Sequence, residues 1–266
     1  MSIITISRGS YSRGKEIAQK VAKELGYECI SRDIILEASE DYNIPELKLV
    51  RAIHDAPSLF SRLSLTKEKY IAFFRATLTK QFRRNNIVYH GLAGHFFVTG
   101  IPHVLKIRII ADFEDRVRFE MEREGISASK AADILKKDDN QRRKWSQHLY
   151  GIDPWNPNLY SMILHIHKLT VDDATHLICE ASKAKAFQTT PESQQMMDDL
   201  ALSAEVRAIL LGANLDTEVT AEGGVVSVRL TAPVAHEKAL VEKIQTAVQE
   251  IKDIKDVRVN IKPSSL

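Results

Sequence analysis

The chain has 266 residues, 44% of them hydrophobic and 27% charged, which suits a soluble globular protein of one large domain, or of one medium domain and a small one. Against 37 basic residues stand 35 acidic ones, for a formal charge of +2. That near balance argues against a dedicated nucleic-acid binder, which carries a basic excess. Cys29 and Cys179 have no metal-ligand spacing and read as buried free thiols. The opening MSIITISRGS has no basic stretch leading into an apolar one, and no apolar run nears the ~20 residues of a membrane span. A cytoplasmic location with no membrane role is therefore expected, and homo-oligomerisation stays open.

In chain order, residues 2–7 (SIITIS) form a β-branched run that stops at a Gly/Ser-rich turn, the pattern of a buried strand. From Gly14, the residues Ile17, Ala18, Val21, Ala22 and Leu25 recur at helical spacing, and Gly26 sits where a helix ends. Residues 28–30 predict a second strand and 33–39 a second helix. The stretch 46–86 is helical and charge-rich, with 67–84 its clearest amphipathic part. Strands follow at 86–89, 103–110 and 160–165, and helices at 113–124, 128–150 and 171–184. Strands alternating with helices predict an α/β fold, a mostly parallel sheet covered by helices.

The composition shifts at 187–193 (FQTTPES), which reads as a linker. Beyond it come a helix at 194–211, strands at 217–221 and 225–231 joined through Gly223-Gly224, a helix at 235–251 and a strand at 257–261. The predicted organisation is a P-loop domain over 1–186, a linker over 187–193 and a small α+β domain over 194–266.

The residues Gly9-Ser10-Tyr11-Ser12-Arg13-Gly14-Lys15 match G-x-x-x-x-G-K, set between a strand and a helix as the motif requires. Glycines let successive backbone N–H groups turn toward a phosphate, and the helix N-terminus adds a favourable dipole. Lys15 would place a point charge on the β- and γ-phosphates. Glu16 stands where the common form has a Ser or Thr on Mg²⁺. Farther along, the run KKDDNQRRK at 136–144 crowds acids and bases on one polar helix, a pattern that is most often a solvated face.

Taken with the segments ISRDII, VLKIRIIADFEDRVRFEME, KKDDNQRRKW and LYSMILHIHKLTVDDA, the loop makes residues 2–185 resemble the cytidylate kinase-like family, a branch of the nucleoside monophosphate kinases. The resemblance implies a P-loop kinase using ATP and Mg²⁺, with a mobile lid over the phosphates and a small-molecule nucleotide as substrate. It implies that Arg142 and Arg143 are lid arginines acting with Lys15, and that Asp139 orients one of them. The phosphate site would then comprise residues 9 to 16 with Asp139. The acceptor nucleotide would meet Ser31 and Asp33 after the second strand, Arg75 on the helix 67–84, and His90. Of Arg116 and Arg118, one is expected either near the base of ATP or at the surface.

The third strand departs from the family, because His90 and Leu92 stand about where an Asp-Gly-Arg run has its acid and its arginine. His90 and His95 lack a cysteine or carboxylate at ligand spacing, so no protein metal site is expected. Residues 194–262 resemble a BON domain, a small α/β module, and read as a regulatory or oligomerisation element. The expected activity is ATP-dependent phosphorylation of a nucleoside monophosphate, CMP or dCMP. The alternatives are a catalytically weak nucleotide sensor acting through the C-terminal domain and a kinase for another small metabolite.

Overall fold

The computed structural model describes residues 2–9, 12–31, 33–42, 64–91, 94–233 and 236–263. For residues 33, 35, 64–67, 145, 148 and 149 it describes the backbone alone. The chain folds into two compact units. The first holds residues 2–33 and 84–190, and the second 34–42, 64–83 and 191–263. Sequence pattern places 67–84 with the N-terminal domain, whereas in the structure residues up to 83 group with the C-terminal unit.

In the first unit, β1 (Ile3–Arg8), α1 (Gly14–Leu25), β2 (Glu28–Ile30), β3 (Ile87–His90), β4 (Val104–Ala111) and β5 (Met162–Ile166) build a parallel sheet in the order β2-β3-β1-β4-β5. The chain leaves β1 toward one side of the sheet and β4 toward the other, which opens a crevice at the carboxyl ends of these adjacent strands. Ile3, Ile4, Thr5 and Ile6 are all buried, as expected of a central parallel strand with both faces covered. Helix α1 lays Ile17, Ala18, Val21 and Ala22 on one face, where Val171, Ala174, Ile178 and Cys179 of α7 (Val171–Ser182) join the same core. Gly26 ends α1 with φ 68°, the left-handed conformation in which glycine carries no steric cost. Between these elements run α4 (Gly94–Phe97), α5 (Phe113–Glu124) and α6 (Ala128–Tyr150). The Ser127 side chain caps α6 by accepting from the Lys130 N–H.

In the second unit, α2 (Asp33–Asp41) and α3 (Ser64–Phe82) accompany α8 (Pro191–Gly212). Helix α3 is not one-sided as its sequence suggests. Residues 72–74, 76–79 and 82 are buried and run round its whole circumference, the signature of an enclosed helix. Ala72, Phe73 and Ala76 meet Ala204, Ala208 and Leu211 of α8, and small residues on both sides let the helices approach. A mixed sheet follows: β6 (Glu218–Glu222) pairs antiparallel with β7 (Val225–Ala232), and β7 pairs parallel with β8 (Asp256–Pro263). Gly223 and Gly224 close the hairpin with φ 58° and 87°, the paired positive values of a tight turn that matches strand twist. Helix α9 (Glu237–Val248) covers the sheet through Ile244 and Val248. Among the described residues, no helix is long and apolar enough to cross a membrane.

Candidate functional site

The end of β1 turns into the loop at Gly9, whose N–H donates to the Ile109 carbonyl at 3.3 Å. The Ser12 hydroxyl, fully buried, lies between the carbonyl oxygens of Gly9 (3.0 Å) and Ile109 (3.2 Å). Its hydroxyl moors the loop to β4. Arg13 has φ 60° and ψ 10°, a left-handed conformation costing a non-glycine residue roughly 1–2 kcal/mol. The exposed pairing of Arg13 with Glu16 (3.0 Å) is worth at most about 1 kcal/mol and does not offset that strain. The buried mooring of Ser12 has to carry it. Gly14 is required by close approach, because a Cβ there would lie 2.8 Å from the Cβ of Arg8.

A cleft of about 260 Å³ opens where β1 and β4 end. Five arginines line it, namely Arg8, Arg108, Arg116, Arg142 and Arg143, with Gly9, Asp139 and Trp155. Arg116 is buried, its Nη2 is 2.8 Å from Asp139 Oδ2, and its guanidinium lies within about 4 Å of where a Gly9 side chain would begin. Arg143 holds Asp153 in a fork, with Nη2–Oδ2 at 2.6 Å and Nε 3.2 Å from both carboxylate oxygens, and its guanidinium lies 4.3 Å from the centre of the Trp155 ring. That fork holds the Asp153 carboxyl below the usual carboxylate range. Arg108 donates to the Pro154 carbonyl and to the Tyr160 hydroxyl, and the hydroxyl in turn donates to the same carbonyl at 2.8 Å. Ser7 Oγ and His95 Nε2 each lie 3.3 Å from that hydroxyl. Burial first, then Lys106 and Arg108, push the His95 imidazole down to about 3, so it is neutral at physiological pH.

The structure thus brings together Gly9, Asp139, Arg142 and Arg143 of the residues singled out from sequence. Asp139 salt-bridges Arg116, Asp153 orients Arg143, and Arg142 lines the same cleft. Of the two arginines on α5, Arg116 lines the cleft, and Arg118 is exposed and pairs with Asp115. Lys15 is exposed on the first turn of α1, and among the described residues neither it, Arg13 nor Glu16 lines this cleft. Ser31 follows the end of β2, and His90 is buried at the end of β3, opposite Ile6. Arg75 lies on α3, in the second unit. Ser10 and Tyr11, and the side chain of Asp33, lie outside the described residues. Arg8, Arg108, Asp153 and Tyr160 are site residues that sequence reasoning missed.

The profile of the cytidylate kinase-like family matches residues 3–168, more than half of the chain and the whole of this cleft. The chain belongs to the cytidylate kinase-like family. Among solved structures, this member is similar to an uncharacterized protein from Eubacterium ventriosum, at 19% identity and a TM-score of 0.54, over 68% of this chain and 97% of that one. That likeness shows the fold alone. Weaker likenesses include a shikimate kinase from Bacteroides thetaiotaomicron (10% identity, TM-score 0.42, 69% of this chain and 99% of that one). A dephospho-CoA kinase from Campylobacter jejuni is another (19% identity, TM-score 0.36, 68% of this chain and 97% of that one), and no argument rests on either. No curated protein matches the chain significantly. For this kinase-like family member, the supported class of chemistry is nucleotide-dependent phosphoryl transfer.

Proposed function

We propose that the protein transfers the γ-phosphoryl group of ATP to a nucleoside monophosphate, CMP or dCMP. The observation that carries this reading is the lining of one cleft by five arginines and Gly9 at the switch point of the sheet. A cleft with that charge is built for a polyanion, and its 260 Å³ falls under the roughly 300–1,000 Å³ of whole small-molecule sites. Its size suits the phosphate chain of a nucleotide. In phosphoryl transfer the protein needs to supply positioning and positive charge, and the acceptor phosphate is itself the nucleophile. Arg116, fixed by Asp139, and Arg143, fixed by Asp153, are pre-organised donors of this kind. Lys15 acts from the loop, and Ser31, Asp33 and His90, all in the first unit, are proposed to receive the acceptor.

Asp139 is the single carboxylate among the described lining residues, and Arg116 already holds it. The cleft therefore fits the phosphates of ATP, but it offers magnesium no unengaged carboxylate. Mg²⁺ entering with the nucleotide would supply charge to the phosphates without a carboxylate ligand from the described cleft. Glu16 engages Arg13 at 3.0 Å, which supports the second reading, a nucleotide sensor with weak or no turnover that signals through the C-terminal unit. We read that unit as a BON-like regulatory or oligomerisation module over 194–266, joined by the 187–193 linker to a kinase domain over 1–186. The setting we propose is the cytoplasm.

Purified protein assayed with ATP and magnesium against a panel of nucleoside monophosphates, beside Lys15→Ala, separates the readings. Turnover of CMP or dCMP abolished by the substitution is the expected result. Saturable ATP binding with no transfer to any acceptor overturns the kinase reading in favour of the sensor. Removing residues 191–266 tests the C-terminal module, and unchanged kinetics and oligomeric state would refute its regulatory role.

A further inference from the structure

At the carboxyl end of the sheet, β4 and β5 bring four metal-ligating side chains together. Strand β5 carries His165 and ends at Ile166, and His167 opens the turn that follows. Ile166 is buried and both histidines are exposed, so the two imidazoles share the open face, with ring centroids 6.4 Å apart. Beside them β4 leads into Asp112, the residue that precedes α5, and Asp115 lies in the first turn. His165 Nε2 is 2.9 Å from Asp112 Oδ1. His167 Nδ1 is 3.0 Å from Asp112 Oδ2 and 2.8 Å from Asp115 Oδ2. Ligand atoms of Asp112, Asp115 and His167 all fall within 4.8 Å of one another.

We infer that Asp112, Asp115, His165 and His167 form a binding site for one zinc-class transition-metal dication. Two imidazole nitrogens and two carboxylate oxygens are a borderline donor set, suited to zinc and its first-row neighbours and poorly suited to magnesium or calcium. Two carboxylates neutralise the charge of the dication. Tetrahedral zinc with bonds of about 2.0–2.1 Å holds its ligands roughly 3.4 Å apart. The 2.8–3.0 Å contacts among Asp112, Asp115 and His167 therefore have to open by only about half an ångström, and His165, which touches Asp112 alone, has to turn inward, both of which side-chain rotation at an exposed site allows. Asp112 also carries the turn that places Arg116, since the Arg116 N–H donates to the Asp112 carbonyl at 3.0 Å. A metal clamped there fixes the first turn of α5, next to the cleft residue Ala111. This site does not depend on the phosphoryl-transfer reading.

The test is a calorimetric titration of the untagged full-length chain with zinc chloride, repeated on His165→Ala, His167→Ala and the exposed control His176→Ala. We expect one site per chain, at least tenfold weaker binding in each of the first two variants, and no change in the control. Cobalt(II) added to the wild-type protein reports independently through the visible bands of a tetrahedral nitrogen–oxygen site, and circular dichroism verifies that the variants fold. Absence of saturable binding, affinity unchanged in a His165→Ala/His167→Ala double variant, or displacement of zinc by an equal concentration of magnesium would each overturn the proposal.

Discussion

Arg116 on α5 and Asp139 on α6 meet at 2.8 Å, with 10% and 21% of their side chains exposed, and this contact ties the two helices together at the wall of the cleft. Removing one partner of such a pair leaves a buried charge uncompensated, which costs more than the pair itself contributes. Asp139→Ala is therefore expected to lower stability by about 3 kcal/mol, and Arg116→Met with Asp139→Leu by less. Urea unfolding of both variants measures the difference. Equal losses would show that Arg116 is not fixed by Asp139.

The mooring of the phosphate loop gives a second expectation. Ser12→Ala strips the hydroxyl from the buried carbonyls of Gly9 and Ile109 and leaves the strained Arg13 conformation without its anchor. A loss of about 1 kcal/mol follows from the missing hydrogen bond, since both carbonyls keep a backbone N–H donor. ATP affinity should fall with it, because the loop no longer holds one shape. Thermal melts with and without ATP measure both, and an unchanged ATP-induced shift in melting temperature would contradict this role for Ser12.

His95 makes stability depend on pH. Its imidazole titrates near 3 in the folded protein, mainly through burial, against about 6.5 in the unfolded chain. Between those values the unfolded chain binds the extra proton, so stability is lost as pH falls through 6.5 and the loss continues toward 3. His95→Gln, which keeps a polar tip beside Tyr160, should flatten this dependence. Denaturant midpoints from pH 7.5 to 4.5 measure it, and parallel curves for the two proteins would exclude His95 as the source.

Arg143 is held as a fork on Asp153 with a ring beneath it, a geometry that a lysine ammonium cannot reproduce. Arg143→Lys should lose most of what Arg143→Ala loses, on the order of 10²-fold in phosphoryl transfer, although the charge is kept. Initial rates at saturating ATP test this. A lysine variant close to wild type would mean that charge alone matters there.

The sheet was legible because burial on both faces forces β-branched runs such as Ile3–Ile6, and α1 because its apolar spacing ends on Gly26. Its loop was legible because glycine spacing is local. The partners of the arginines were not. Asp139 and Arg116 are 23 residues apart and meet only through the crossing of α5 and α6, which no local pattern encodes. Arg108 sits inside the run VLKIRII, where it reads as the polar position of a strand, although its register beside Ser7 brings it to the cleft. Asp153 lies in the irregular stretch after α6, where there is no periodicity to read. Helix α3 misled because its charges suggest a solvated face, yet Phe73 and Ala76 are packed against α8. The pair His165 and His167 about an apolar Ile166 was a signal within reach, although His167 lies in the turn beyond β5, where strand spacing does not fix its direction.

The five-arginine cleft is proposed to hold the phosphates of ATP. Calorimetric ATP titration of Arg8→Ala, Arg108→Ala and Arg142→Ala, beside Arg84→Ala at an exposed pair with Glu28, tests it most directly. We expect each cleft variant to bind ATP at least tenfold more weakly, and Arg84→Ala to match the wild type. Equal affinity across all four variants would place the nucleotide somewhere else.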